Sequence, residues 1–364
     1  MSKSVAIVCD WLTEGIGGAE RVIKVIHDMY PKAPIYTSQY RPKKTIWLGE
    51  ADVKTGWLNK FPTWSRRLIP FLRANYFSRL DLSEYDVVIS ITGAEAKYVK
   101  TGKDTKHISY IHAPTQYYWG KYSQYLKDPG FGILNPIVRL VLKIFIRPMR
   151  EADYSFAQKP DILIANSTFV QKEIKEYYER NSVVVFPPVS IVKNTTKKQD
   201  NKEFVIIGRQ ANWKRIDLAI EAVKKTGDKL TIIGAGPAHK SLVKLARGAR
   251  NVRFKPAINS PKKISQILTN SAGFIFTSQE PFGIAPVEAL MLGTPVIAYR
   301  DGGALDFMIN GKNGVFFKEQ NVDSLVQAIE KFHNMKFKSA DIKKSAVKFS
   351  ENNFKKQIKQ IVEA

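Results

Sequence analysis

Two carboxylates eight residues apart, Glu280 and Glu288, stand in the run Ser278-Gln279-Glu280-Pro281-Phe282-Gly283-Ile284-Ala285-Pro286-Val287-Glu288. Before them, Gly273-Phe274-Ile275-Phe276-Thr277 reads as a buried strand. Phe282-Gly283 supplies a turn, Pro286 suits a first helical turn, and Gly293 suits the helix end. The amides of Gly283, Ile284 and Ala285 then face outward at a helix N-terminus, where backbone donors and the helix dipole favour phosphate. Glu280 precedes the turn and Glu288 lies inside the helix, so the pair can grip different parts of one ligand. A surface acid followed by a helix-stabilising Glu accounts for the same letters.

Two further clusters could do chemistry on an anion. Gly208-Arg209-Gln210-Ala211-Asn212-Trp213-Lys214-Arg215-Ile216-Asp217 follows a short apolar strand. Arg209 offers a forked donor and Lys214 a mobile point charge, so together they can hold a diphosphate from two sides. A solvated basic loop is the plainer alternative. Gly15-Ile16-Gly17-Gly18-Ala19-Glu20 follows the first strand, and its glycines let backbone approach a ligand closely. Any tight turn could use the same glycines. His112 lies in Ile111-His112-Ala113-Pro114-Thr115-Gln116-Tyr117-Tyr118-Trp119, just after a strand, where open α/β sheets bind ligands. Tyr117 and Trp119 are acceptor-facing or simply packed.

The elements that must position these residues alternate along the chain. Short apolar runs at Val5–Val8, Asp86–Ser90, His107–Ile111, Ile162–Ala165, Val183–Phe186, Phe204–Ile207 and Leu230–Ile233 are separated by helical stretches. That pattern specifies parallel sheets covered by helices. The strand–glycine–helix opening of the chain recurs at Gly208, after Pro187-Pro188 and a polar, lysine-rich stretch over 190–202 that reads as a linker. The expected fold is α/β, with two Rossmann-like domains whose parallel sheets face a central cleft. With 364 residues, 44% hydrophobic and 25% charged, the chain is long enough for two domains. Cys9 is the single cysteine, which excludes an intrachain disulfide and a cysteine metal cluster. The opening residues run straight into a strand rather than a signal peptide, and a cytoplasmic setting is expected. A net charge of +24 leaves anionic nucleotide, anionic lipid and nucleic acid as partners, although lysine-rich composition alone covers part of it.

The Glu280–Glu288 segment resembles the E-x7-E signature of retaining glycosyltransferases of family 4, which have the two-domain GT-B fold. The similarity continues through Ala289-Leu290-Met291-Leu292-Gly293-Thr294-Pro295-Val296-Ile297-Ala298. It implies that Glu280 contacts the donor sugar's hydroxyls and Glu288 the ribose, with Phe282, Gly283, Ile284 and Ala285 also on the donor. Pro281 departs from the Gly or Asp common there. The resemblance also implies that Gly17 and Gly18 lie against the donor phosphates, that Arg209 and Lys214 clamp the leaving diphosphate, and that His112 lies beside the donor sugar. Gln210 replaces a frequent Leu, and Asp306 a frequent Glu. Lys214-Arg215-x-Asp217 is similar to a subgroup that includes O-antigen mannosyltransferases. The domains so implied are residues 1–188 on the acceptor side, 189–348 for the nucleotide sugar, and a helix over 349–364 crossing back to the first domain.

The reaction implied is transfer of a hexose, mannose from GDP-mannose by subgroup resemblance, to a membrane-held lipid-linked acceptor or glycolipid without a metal. UDP-glucose, UDP-galactose and UDP-N-acetylglucosamine remain alternative donors, and a phosphoinositide a second acceptor. A sugar-nucleotide epimerase can share the fold, but the paired glutamates argue against it. A non-catalytic protein of anionic membranes or nucleic acid is the rival from another class, and no RNA-binding signature supports nucleic acid. Residues 53–80 hold six Lys/Arg and no acid. Here Trp57, Phe61, Trp64, Leu68, Ile69, Phe71, Leu72, Tyr76 and Phe77 alternate with Lys60, Arg66, Arg67, Arg73 and Arg79. The expectation is an anionic membrane surface and a peripheral location at the inner face of the cell membrane. Residues 129–150 carry a weaker version, interrupted by Arg139 and Lys143 and too short to span a bilayer. Packed amphipathic helices are the alternative for both.

Overall fold

The computed structural model describes residues 3–67, 70–127, 129, 132–192 and 203–364, without the side chains of Arg66, Arg67 and Ile133. The chain divides into two compact units, residues 1–188 with 354–364, and residues 189–353. Most of the lysine-rich stretch read as a linker, residues 193–202, lies outside the described residues, as do Leu68 and Ile69.

In the first unit the strands are β1 Val5–Cys9, β2 Ile35–Thr37, β3 Val53–Thr55, β4 Val87–Thr92, β5 Lys106–Ile111, β6 Ile162–Ala165 and β7 Val183–Val184. They pair in parallel in the order β3-β2-β1-β4-β5-β6-β7. Strands β1 and β4 are buried along their whole length. They therefore read as continuous apolar runs rather than alternating ones, as strands covered on both faces do. The helices are α1 Gly18–Met29, α2 Pro70–Arg79, α3 Tyr122–Lys127, α4 Asn135–Ala157 and α5 Thr168–Tyr178.

The second unit has β8 Glu203–Ile207, β9 Lys229–Ile233, β10 Val252–Lys255, β11 Gly273–Phe276, β12 Val296–Tyr299 and β13 Gly314–Phe317. Their order is β10-β9-β8-β11-β12-β13, parallel throughout. Its helices are α6 Ile216–Thr226, α7 His239–Leu245, α8 Pro261–Asn270, α9 Ile284–Leu292, α10 Ala304–Phe307, α11 Val322–His333 and α12 Ser339–Ala346. The closing helix α13, Glu351–Glu363, belongs to the first unit from Phe354 onward. Its Phe354, Ile358 and Val362, four residues apart, are buried in that unit's core beside Ile7, Ile26 and Ile89.

Both sheets share one design. Strand order reverses between β1 and β4 in the first and between β8 and β11 in the second. Ligand crevices of open α/β sheets form at such switch points, beyond the carboxyl ends of the strands. The residues singled out by chemistry follow β1, β5, β8 and β11.

One expected feature is corrected here. Residues 53–80 are not a single interfacial segment. Val53–Thr55 is the edge strand β3, paired with β2, while Leu58, Arg73 and Phe77 are buried. Aromatic and basic letters alternate there because one set packs inward while another, including Trp57 and Trp64, stays exposed.

Candidate active site

The second unit gathers charge at its switch point. Strand β8 ends at Ile207 and the chain turns at Gly208, whose φ of 156° suits glycine. A 3-10 turn over Asn212–Lys214 follows, and Arg215 takes a left-handed φ of 51° before α6 begins. The loop is pinned from beneath by Gln210, which is fully buried. Its Nε2 donates to the Gly234 carbonyl at 2.8 Å and its Oε1 meets His239 Nδ1 at 2.7 Å. Gln210 thus ties the loop after β8 to the loop after β9, a buried task that a leucine could not perform. Gly234, at φ 141°, lies so close to Gly208 that a Cβ there would collide with the Gly208 carbonyl. Arg209 is left exposed between these anchors.

Lys214 comes from the same loop, and its ammonium forms an ion pair with Glu280 Oε1, 66 residues away in sequence. The two side chains are 20% and 14% exposed, shielded yet reachable from solvent. Several contacts hold the pair in place. Thr277 Oγ1 donates to the Lys214 carbonyl at 2.7 Å, and Ser278 Oγ donates to Glu280 Oε1 at 2.5 Å. The Lys214 ammonium lies 4.6 Å from the Trp213 ring centroid, within cation–π range. Gly303 N–H donates to the Glu280 carbonyl at 2.8 Å, and Gly302 adopts φ 61° against the same backbone.

Three residues beyond Glu280, the chain enters α9 through Gly283 at φ 110°, and no side chain caps the helix start. The first amides, from Ile284 onward, are therefore available as donors at a positive helix end. Phe282 is buried and its ring packs against Phe307 and Phe349 at 6.1 and 5.5 Å between centroids. Any contact it offers a ligand is through its backbone. Glu288 lies on the second turn of α9 and is buried with Val287 and Leu290. Arg209, Lys214, Glu280, Glu288 and the α9 start thus follow the two strands, β8 and β11, that flank the switch point.

The first unit carries the other predicted residues. Gly17 donates its N–H to the Glu20 carboxylate at 3.1 Å, and Gly18 opens α1. His112 follows β5; its N–H donates to the Thr92 carbonyl at 2.8 Å, and its own carbonyl accepts from Asn166 Nδ2 at 2.9 Å. The ring sits edge-on to Tyr110 at 5.4 Å, and Nε2 is buried with no hydrogen-bond partner among the described residues. Burial pushes its pKa down to about 4, so the imidazole is neutral near pH 7. A buried, unpaired ring nitrogen is costly unless something else binds it.

Sequence reasoning missed a polar network in this unit. Asp10, at the end of β1, accepts from Thr92 Oγ1 at 2.8 Å, from Gly93 N–H at 2.9 Å and from Ala96 N–H at 2.8 Å. Burial, with the Glu95 charge adding to it, raises the Asp10 carboxyl above the usual carboxylate range. Arg73 pairs with Glu95 at 2.7 Å, and Tyr117 donates to the same carboxylate at 2.6 Å. Lys97 pairs with Asp153 at 2.6 Å, and Asp153 also accepts from Tyr98 at 2.8 Å, Tyr178 at 2.7 Å and Trp119 Nε1 at 2.8 Å. Tyr117 and Trp119 are therefore committed to buried carboxylates. No spacing marks this network, because Arg73, Glu95 and Tyr117 come from three separate segments.

Residues 189–356 match the family model described as glycosyl transferases group 1. Over nearly its whole length the chain is similar to alpha-1,3/1,6-mannosyltransferase ALG2 of Mus musculus, 25% identical and covering 96% of this chain and 93% of that protein. The ALG2 of Dictyostelium discoideum is 24% identical over 88% of this chain and 87% of its own. Among solved structures, Anabaena HepE in complex with UDP and glucose superposes with a TM-score of 0.70 at 17% identity, covering 100% of both chains. With its two parallel-sheet Rossmann-like units, the chain has the GT-B fold. The family match and the ALG2 relatives support a glycosyltransferase.

Proposed function

We propose that the chain is a retaining glycosyltransferase that moves a hexose from a nucleotide sugar, with GDP-mannose the favoured donor, to a lipid-linked or glycolipid acceptor. The observation that carries this is the Lys214–Glu280 pair at the second unit's switch point, beside the uncapped start of α9. Resemblance to the E-x7-E signature supports the glutamate roles, and similarity to two mannosyltransferases supports the sugar.

On this reading Lys214 exchanges Glu280 for the donor's diphosphate, and Glu280 turns to the hydroxyls of the sugar. Arg209 takes the diphosphate from its other side, Glu288 takes the ribose, and the amides of Gly283, Ile284 and Ala285 add donors. The bond between the anomeric carbon and the diphosphate oxygen breaks, and that oxygen keeps the electron pair. The acceptor hydroxyl bonds to the same carbon from the same face, and its proton passes to the diphosphate. Cations and oriented amides stabilise the developing charge, the role a divalent metal would otherwise fill. Neutral His112 offers a hydrogen bond at the sugar. Residues 1–188 bind the acceptor and residues 189–348 the donor. The reading includes a peripheral location at the inner face of the cell membrane, where a lipid-linked acceptor would be met; among the described residues no helix is long and apolar enough to cross a membrane.

The first test is a thermal-shift panel of GDP, UDP, ADP and their sugar conjugates. A ligand that binds only the folded chain raises the melting temperature, by roughly 2.7 kcal/mol of stabilisation at a hundredfold excess over its dissociation constant. Selective stabilisation by GDP-mannose is expected. Stabilisation by UDP species alone would overturn the donor, and no shift with any nucleotide would overturn the transferase.

A further inference from the structure

Helix α4 runs for 23 residues, and its two halves face different surroundings. In the second half Met149, Asp153 and Ala157 are buried. In the first half Ile137, Leu140, Val141, Ile144 and Phe145 recur at the spacing that places residues on one helix face. All five are exposed, with Ile137 at 62%, Leu140 at 59% and Ile144 at 59%. An amphipathic helix ordinarily turns such a stripe toward the core; this one turns it toward solvent. Pro148 stands between the two halves, where the chain passes from the outward stripe to the packed end.

The stripe continues onto a second element. Phe145 meets Phe71 of α2 edge to face, with ring centroids 5.3 Å apart, and Phe71 is itself exposed. Leu72 beside it is exposed too. Just before α2, Trp57 and Phe61 contact each other edge to face at 6.0 Å, and Trp64 is 66% exposed. Clustered exposed apolar side chains of this kind mark an interaction site.

Charge indicates the partner. Residues 129–150 contain Arg139, Lys143, Arg147 and Arg150 and no acid. Arg139 braces the start of α4, donating to the carbonyls of Leu126 and Lys127 at 2.9 and 2.7 Å. Lys143 is exposed at the flank of the apolar stripe, Arg147 follows one turn later, and Lys60 is exposed beside Phe61. Arg147 contacts Glu151 at 3.0 Å, but both side chains are largely exposed, so the pair is weak. An apolar helix face without acids, with cations around it and tryptophans nearby, complements an anionic headgroup layer over hydrocarbon.

We infer that the first half of α4, with Phe71 and the exposed aromatics before α2, is a docking surface that lies in the interface of an anionic bilayer. Its cations and limited apolar length keep it on the surface rather than across the membrane. Arg73, an expected lipid contact, has no part in it, because Glu95 holds it inside the unit. The inference concerns how the acceptor side reaches lipid, and the assay below needs no donor. Its failure and the failure of the transferase reading are therefore distinguishable.

The test is flotation of the full chain with phosphatidylcholine vesicles, with and without phosphatidylglycerol. The wild type should float with the anionic vesicles and weakly or not at all with the neutral ones. The double variant Leu140→Asn/Ile144→Asn changes only exposed positions, so its melting temperature should be unchanged while vesicle partitioning falls about tenfold or more. Lys143→Glu should weaken the preference for anionic lipid. Equal flotation with both vesicle types would overturn the anionic partner. Unchanged flotation of the double variant, or none by the wild type, would overturn the surface. If light scattering shows a wild-type dimer that the double variant breaks, without vesicle binding by either, the face joins two copies of the chain and the inference is wrong.

Discussion

The two units share a strand order and reverse it at equivalent places, yet fill the region beyond that reversal in opposite ways. In the second unit the charged groups there, Lys214 and Glu280, are only partly shielded. In the first unit the pairs Arg73–Glu95 and Lys97–Asp153 are almost wholly buried, with tyrosine hydroxyl or indole partners on each carboxylate. A charge that keeps a path to solvent can exchange its partner for a ligand. A charge sealed in with several partners cannot leave without exposing the rest of the network to an uncompensated cost. Position in a Rossmann-like sheet therefore does not by itself make an ionic group part of a binding site; access does.

The sharpest way to break that contrast is to cut each kind of pair. Asp153→Ala strands the Lys97 ammonium and several buried donors, and should destabilise the chain by about 3–5 kcal/mol. Urea denaturation measures this, and a loss below about 1 kcal/mol would mean that water reaches the network and the contrast is false.

Glu280→Ala and Lys214→Ala should do the reverse. Each is expected to lower transfer by roughly a hundredfold or more, as removal of a charge-stabilising group does, while stability changes by about 1 kcal/mol or less. Initial rates with a nucleotide-sugar donor, read beside melting curves, separate the two effects. A variant that unfolds as readily as Asp153→Ala would place Lys214–Glu280 with the structural pairs.

A third difference is a pH dependence carried by a buried histidine of the first unit. Burial pushes the pKa of His107 down to about 4, against an ordinary value near 6.5. Between those values His107 of the unfolded chain binds a proton that the folded chain refuses, so this residue's contribution to stability falls as pH drops from about 6.5 toward 4 and does not change above that window. The full penalty is roughly 3 kcal/mol for this histidine at the acid end. His107→Gln should flatten the slope of unfolding free energy against pH in that window. An unchanged slope would show that the His107 ring titrates normally.

Much of the fold was legible because periodicity is local. The runs over Val5–Val8, His107–Ile111, Ile162–Ala165, Phe204–Ile207 and Leu230–Ile233 all lie within strands of the structure. Strands β2, β3 and β13 were not legible: they are three or four residues long, and nothing around them separates strand from loop. Strand β10 hid for another reason. Arg253 and Lys255 occupy its exposed side, as charges do on an edge strand, and they mask its apolar letters. The candidate site divides similarly. Glu280, Glu288 and the turn between them form one continuous segment whose composition announces a strand, a turn and a helix start. The pairing of Lys214 with Glu280 could not be read, since 66 residues separate them and only the adjacency of β8 and β11 brings them together.

What the sequence determined by itself is therefore short in range: parallel α/β architecture, glycine turns where side chains would clash, and which carboxylates and cations follow strand ends. Those properties arise from steric limits and burial patterns within a few residues. Tertiary structure decided which charges stay accessible. Arg73 and Arg209 are the same side chain, each placed in a basic stretch, and the sequence does not distinguish their fates. Packing gave Arg73 a buried glutamate and left Arg209 exposed. Exposure depends on what the rest of the chain lays over a residue, and that is a property of the assembled fold rather than of any neighbourhood in the chain.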